Sequence, residues 1–187
     1  GLALYYAPTP DHAWDSLNFI STGVRAGGFL LGLHYWTMRV IVVVLGLHLG
    51  RVVLMGSYRK PRHTNWVVGV ALFLIVMVFS VTGLLLRWDQ AAYWATVVRI
   101  GIVSLTPLVG DQVAALARGG PDLGALTLTR WYAIHALVLP VVLIGMVVAH
   151  LKLRVRDGLS GPVRQEVGEP QAYFPHQAAR DLAAVAL

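Results

Sequence analysis

The sequence of 187 residues contains no cysteine and has few charged side chains. The absence of cysteine excludes disulfide bonds, cysteine-ligated metal centres and thioether attachment of a prosthetic group within this chain. Charged residues make up 13% of the chain, and the 9 acidic residues are outnumbered by 15 Lys and Arg. Because soluble domains carry about 25% charged residues, this composition argues against a water-soluble protein.

Apolar residues are correspondingly abundant, at 57% of the chain with a mean hydropathy of +0.65. A hydrocarbon core of about 30 Å is crossed by roughly 20 helical residues. Three segments are apolar over such a length, at residues 29–55, 66–86 and 131–153. We therefore predict an integral, multi-pass membrane protein of the all-α class, built as a transmembrane helical bundle.

The two ends of the chain suggest a piece of a larger bundle. The opening "GLALYYAPTP" has the aromatics and prolines typical of a helix exit, so we expect the first helix of the bundle to be missing from this chain. The closing "YFPHQAARDLAAVAL" resembles the first turns of a further helix. We divide the chain into a membrane domain at 1–160 and a tail at 161–187.

Basic residues are concentrated beside the spans. By the positive-inside rule, the connection between the first two spans and the segment after the third are cytoplasmic. The net charge of +6 thus indicates orientation, and we expect no nucleic-acid partner. The first and third spans then run in the same direction. The basic residues are Arg51, Arg59, Lys60 and Arg62 in the connection and Lys152, Arg154 and Arg156 after the third span.

Each of these parallel spans carries two histidines. His34 and His48 are separated by an interval that falls about 40° short of four helical turns, so they share one face about 21 Å apart along the axis. His135 and His150 are one residue further apart. Pro140 lies between them, and a kink there could re-aim the face to absorb the extra residue.

Parallel spans place His34 opposite His135 on the outer side and His48 opposite His150 on the cytoplasmic side. An imidazole in hydrocarbon requires a partner. Hydrogen bonding between helices is one explanation, whereas a bare zinc ion would require four ligands at one site. Two facing pairs at one spacing favour planar macrocycles with two axial positions, and bis-histidine haem fits this pattern.

Two glycines of the second span recur at the same interval as the first histidine pair. Gly69 and Gly83 would give a macrocycle clearance against this helix. Glycines in membrane helices also mediate helix packing, so the spacing alone leaves both explanations open.

These segments, taken in order, resemble the N-terminal, haem-bearing half of cytochrome b, and most closely its short form, cytochrome b6. The resemblance is carried by "LHYWTMRVIVVVLGLHLGRVVLMGSYRKPR", by "NWVVGVALFLIVMVFSVTGLLLRWDQAAYWA" and by "LTRWYAIHALVLPVVLIGMVVAHLKLRVRDGLSGP". It implies a four-helix di-haem bundle with two haem b, quinone or quinol as further cofactor, and no covalent haem from this chain. The haem-binding positions that it implies are His34 and His135 for the outer iron, His48 and His150 for the inner iron, and Arg51, Arg62, Gly69 and Gly83 around them.

The resemblance further implies electron transport, respiratory or photosynthetic, by a quinol:cytochrome c (or similar acceptor) oxidoreductase. Outer quinone-pocket candidates are Trp88, Asp89 and Tyr93, although such aromatics also form interfacial belts. A proton-accepting motif of the family belongs to its C-terminal half, so this electron-transfer subunit is not a complete enzyme alone. The implied partners are a Rieske-type iron–sulfur protein, a c-type cytochrome and the C-terminal half or second subunit of cytochrome b, in a homodimeric complex of a bacterial inner or other energy-transducing membrane.

Three positions depart from the expected pattern. Leu31 stands where the family has an arginine before the first ligand, and Arg87 replaces the proline of the family's "PWDQ". Arg39 lies within the first span, about 140° around the helix from His34. The alternatives are a di-haem b membrane anchor of a quinone-linked dehydrogenase, which the "WDQ" and "GLSGP" elements disfavour, and a transporter or assembly subunit that has lost its haems.

Overall fold

The structure is a computed structural model that describes residues 2–158, and the tail at 161–187 lies outside these residues. Residues 2–158 form helices and turns without a strand, which confirms the all-α prediction. In chain order they comprise a short 3-10 helix at Leu2–Leu4, α1 at Ala13–Thr22, α2 at Gly27–Leu54, α3 at His63–Leu85, α4 at Gln90–Ser104, α5 at Gly110–Arg118, α6 at Ala125–Ala133, a π-helical turn at Ile134–Val138 and α7 at Leu139–Asp157.

Three helical segments have the length and composition of membrane spans: α2, α3, and the continuous helix at Ala125–Asp157 that joins α6, the π-helical turn and α7. They have 28, 23 and 33 residues, which agrees with the predicted multi-pass topology. The third begins at Ala125 rather than at the predicted residue 131. Hydropathy marks only the apolar part of a helix, and this one continues into the polar outer end.

The water-excluded core lies at the outer end of the bundle, not between the spans. Span side chains are largely unburied within this chain, because lipid replaces water around them and removes the drive to cover apolar surface. At the outer end, α1, α4, α5 and the ends of the spans pack together around a core like that of a soluble domain. This core consists of Ala13, Leu85, Ile100, Ala114, Leu123, Leu128 and Trp131.

The extra residue between His135 and His150 is accommodated by the π-helical turn at Ile134–Val138. In that turn the N–H of Leu139 donates to the carbonyl of Ile134, five residues back. A single π turn holds one residue more than an α turn. It directly precedes Pro140, whose missing N–H already breaks the α-helical ladder at this point. A π turn therefore absorbs the extra residue directly before the proline at which the sequence suggested a kink.

Two helices, α4 and α5, occupy the connection between the second and third spans, and sequence reasoning missed both. Their capping residues were available signals. The Asp89 carboxylate accepts from the N–H of Ala92 at 2.7 Å and begins α4, as N-cap residues do. Gly119 ends α5 with φ +74°, a left-handed conformation that favours glycine.

At the inner end, the start of α3 and the end of α7 lie side by side. Arg62, which precedes α3, donates from Nε to the Gly158 carbonyl at 3.3 Å. This contact agrees with the predicted placement of both basic segments on one side of the membrane.

Candidate cofactor site between the spans

The structure brings His34 of α2 and His135 of the third span together. Their ring centroids are 6.0 Å apart and their planes are 88° to each other. Two imidazoles on opposite sides of one metal ion would have centroids roughly 6 Å apart, from two metal–nitrogen bonds of about 2 Å and two ring radii of about 1.1 Å. The spacing of the outer pair therefore fits bis-histidine ligation of a haem iron.

Gly83 of α3 faces the outer pair. A Cβ added at this position would lie 2.7 Å from Cε1 of His135, and 3.3 Å from each of its ring nitrogens. Real Cβ atoms essentially never come this close to a neighbour. Glycine is thus required here by close approach of the His135 ring.

Thr82 holds the same imidazole from the neighbouring position on α3. Its Oγ1 lies 3.0 Å from Nδ1 of His135 and 2.8 Å from the Val78 carbonyl oxygen. The Thr82 side chain is buried, with 6% of its surface exposed. Sequence reasoning missed this residue, because a threonine in an apolar span also bonds routinely to its own helix.

At the inner level the glycine contact has a counterpart. His48 is within electrostatic range of His150. A Cβ at Gly69 would lie 3.2 Å from Cε1 of His150, which is tight but less so than at Gly83. Nδ1 of His150 is buried and finds no hydrogen-bond partner among residues 2–158.

The two predicted arginines lie at the inner end. Arg51 is exposed in the last turn of α2, one turn beyond His48. Arg62 is joined to the Gly158 carbonyl across the bundle. Within residues 2–158, no group of three or more His, Cys, Asp and Glu side chains could hold a bare metal ion. The histidines are arranged in pairs instead.

The three quinone-pocket candidates cluster where α3 passes into α4. The rings of Trp88 and Tyr93 meet edge to face, with centroids 5.8 Å apart, and both pack against the outer core. Asp89 is paired with Arg87, whose Nε donates to the carboxylate at 2.9 Å. Partial burial acts to raise the pKa of Asp89, but hydrogen bonds from the Ala92 N–H and Arg87 outweigh it and hold this pKa below its usual 3.8.

The N-terminal segment crosses the outer ends of the second and third spans, which sequence reasoning also missed. The Tyr6 hydroxyl donates to the Leu86 carbonyl at 2.7 Å, and its ring stacks on Tyr132 at 5.4 Å. Burial, together with the neighbouring Tyr132, raises the pKa of Tyr6. Thr129 donates to the Pro8 carbonyl at 3.2 Å. These contacts fix the backbone immediately before the turn that carries Arg87 and Trp88.

The third span also holds α5 in place. Trp131 donates from Nε1 to the Ala117 carbonyl at 2.9 Å, and Arg130 donates to that of Leu116 at 3.3 Å. Carbonyls in the last turn of a helix have no partner within it. The third span therefore caps α5 through Arg130 and anchors the N-terminal segment through Thr129.

The intramembrane Arg39 stacks on an aromatic side chain of its own helix. Its guanidinium carbon lies 3.4 Å from the centroid of the Tyr35 ring and 5.5 Å from that of Trp36. A cation over an aromatic face is stabilised by the ring quadrupole. Arg39 thus has a local partner one helical turn back.

Comparisons with known proteins agree with this architecture. A family described as "Cytochrome b(N-terminal)/b6/petB" matches residues 39–187. The chain is 42% identical over 163 residues to the menaquinol:cytochrome c reductase cytochrome b subunit of Bacillus subtilis (strain 168), covering 87% of this chain and 73% of that one. It is 41% identical over 162 residues to cytochrome b6 of Synechococcus sp. (strain JA-3-3Ab), covering 87% and 75%.

A solved structure of a hyperthermophilic respiratory Complex III is also similar, with a TM-score of 0.84 and 25% identity. The match covers 99% of this chain and 51% of that one, so the chain spans about half the length of the solved chain. The motif resemblance, the three spans and the family match agree with one another. The chain belongs to the cytochrome b family, in its N-terminal, b6-type part.

Proposed function

We propose that this chain is the di-haem cytochrome b subunit of a quinol:cytochrome c (or similar acceptor) oxidoreductase, and that it carries electrons across the membrane between two quinone sites. The observation that carries the proposal is the outer pair, His34 and His135, at a ring separation that fits one metal ion. Two relatives named as cytochrome b subunits of menaquinol:cytochrome c reductases support the same function.

In this proposal His34 and His135 bind the outer haem iron through their ring nitrogens, and His48 and His150 bind the inner one. Bound haem would supply one-electron redox chemistry at each level. Gly83 and Gly69 leave room for the imidazoles beside α3. The two histidines of α2 are about 21 Å apart along the helix axis, and this distance separates the outer haem level from the inner one.

Trp88, Asp89 and Tyr93 line the outer quinone pocket in this proposal. The aromatic pair presents flat apolar surface that a quinone ring can stack on. Asp89 remains ionised through neutral pH because its pKa is lowered, and it holds the turn by capping α4 and pairing with Arg87. The proposed partners are a Rieske-type iron–sulfur protein, a c-type cytochrome and the remaining part of cytochrome b, in a homodimeric complex.

The experiment that tests the proposal is haem analysis of the complex purified with this chain in full length. The pyridine haemochrome assay should give two b haems per chain. His34→Leu and His135→Leu should each remove one b haem, and His48→Leu and His150→Leu the other, as reduced-minus-oxidised spectra would show. His63→Leu, at the exposed start of α3, is the control and should retain both.

Absence of b haem from the wild-type complex would refute this function and favour a haem-free transporter or assembly role. Retention of both haems in the four histidine variants would refute the ligand assignment. Purification with a dehydrogenase instead of a Rieske protein would favour the membrane-anchor alternative.

A further inference from the structure

The two histidines of the third span contact α3 at two equivalent positions. These positions lie fourteen residues apart along α3. Each ring lies over a glycine, His135 over Gly83 and His150 over Gly69. The repeat therefore presents a glycine of α3 to both imidazoles.

The repeat is broken by the residue immediately before each glycine. At the outer level it is Thr82, whose Oγ1 lies 3.0 Å from Nδ1 of His135. At the inner level it is Val68, which has no hydrogen-bonding group. Nδ1 of His150 is buried and makes no hydrogen bond within residues 2–158.

The direction of the outer hydrogen bond follows from the other contacts of Thr82. Its hydroxyl lies 2.8 Å from the Val78 carbonyl and 3.3 Å from that of Phe79. Carbonyl oxygens only accept, so the single hydroxyl proton is directed to them and a lone pair of Oγ1 faces His135. A neutral imidazole that binds a metal through Nε2 carries its proton on Nδ1. In that tautomer Nδ1 of His135 donates to Oγ1 of Thr82.

We infer that Thr82 is a positioning residue that orients His135 as an axial ligand and lowers the reduction potential of the outer haem relative to the inner one. This inference rests on the proposed function, because it concerns the haem that His34 and His135 are proposed to bind. An acceptor on the second ring nitrogen fixes the tautomer and makes the imidazole a more basic ligand. A more basic ligand stabilises the oxidised iron, so the potential falls.

The experiment is an equilibrium redox titration of the b haems in the purified complex, followed at their visible absorption bands. The outer haem is identified as the component that His34→Leu removes. Thr82→Val keeps the shape of the side chain but removes the acceptor, so we expect the outer potential to shift to more positive values and the inner one to stay in place. Thr82→Ser restores the hydroxyl and should return the outer potential toward the wild-type value.

The reciprocal variant tests the same relationship at the other level. Val68→Thr introduces an acceptor beside His150, and we expect it to shift the inner potential to more negative values. Loss of the outer haem in Thr82→Val with retention in Thr82→Ser would also support the inference, because the hydroxyl would then be needed to hold the ligand. Loss in both variants would leave Val68→Thr to decide.

The inference would be overturned if Thr82→Val had the same haem potentials as the wild type. If both Thr82 variants lost the outer haem, an unchanged inner potential in Val68→Thr would overturn it. Either result leaves the proposed function intact, because two haems would still titrate in the wild type. A wild-type complex without b haem would instead refute the proposed function itself. The two failures are therefore distinguishable in one set of samples.

Discussion

His34 and His135 lie on separate spans with their ring centroids 6.0 Å apart and their ring planes at 88°. This separation is the one expected for two imidazoles bound to one metal ion, and α3 supports one of the two rings. Thr82 holds one ring of the pair by a hydrogen bond, and Gly83 lets that ring approach the helix. The outer site thus depends on three spans, of which two supply ligands and the third supplies clearance.

We expect Gly83→Ala to remove the outer haem, because the new Cβ would lie 2.7 Å from Cε1 of His135. Gly69→Ala should have a milder effect on the inner haem, since the equivalent distance to His150 is 3.2 Å. Haem content and reduced-minus-oxidised spectra measure both effects. Gly145→Ala, which would meet nothing within 4 Å, is the control, and equal haem loss in all three variants would contradict this account.

We expect Tyr6→Phe to destabilise the outer end of the bundle by about 1 kcal/mol, because the Leu86 carbonyl loses its donor. Burial raises the pKa of Tyr6, so the hydroxyl stays protonated at neutral pH and the loss should not vary with pH there. Thermal unfolding of the purified complex measures it. Tyr5→Phe is the matched control, since the Tyr5 side chain is half exposed and its ring contact with Phe19 is kept by phenylalanine.

We expect Asp89→Ala to cost about 1 kcal/mol through loss of the N-cap of α4. The pKa of Asp89 in the folded protein is lowered below 3.8. The contribution of its carboxylate to the free energy of unfolding is therefore fully present at pH values above the unfolded-state pKa, and it is lost as the pH falls through the folded-state pKa. The difference in thermal stability between wild type and variant should therefore be constant from neutral pH to about pH 5. A difference that vanished between pH 7 and 5 would show that the carboxylate is not held ionised.

We expect Arg87→Gln to lower quinol turnover severalfold while both haems are retained. Arg87 and Asp89 flank Trp88, which adopts φ +51°, a left-handed conformation that its surroundings must hold in place. The change in folding free energy should stay below about 1 kcal/mol, since the Arg87 side chain is 43% exposed and exposed pairs contribute little. Steady-state turnover and redox spectra measure the two effects.

The control for that prediction is Arg156→Gln, which breaks the ion pair with Asp157 at the inner end of α7. If both arginine variants lost activity equally, the effect could not be assigned to the turn at Trp88. Unchanged turnover in Arg87→Gln would show that the turn holds without its ion pair.

By itself the sequence determined the three spans and the family, and it predicted the direction of the spans. These depend on hydropathy, on charges beside the spans and on helical periodicity, which are properties of neighbouring residues. The sequence also showed that the histidine pairs of two spans and the glycine pair of the third are spaced at nearly the same interval along their helices. Local signals could also have predicted α4 and α5, because the capping residues Asp89 and Gly119 are visible in the sequence.

The tertiary structure alone decided which side chains support these positions. A π turn at Ile134–Val138 absorbs the extra residue in the third span. Thr82 gives His135 an acceptor that Val68 cannot give His150, and Tyr6 secures the backbone before Trp88. These contacts join residues that are 53 and 80 positions apart. Helical periodicity fixes the direction of a side chain from its own axis, whereas a hydrogen bond between spans also depends on how the helices rotate and pack.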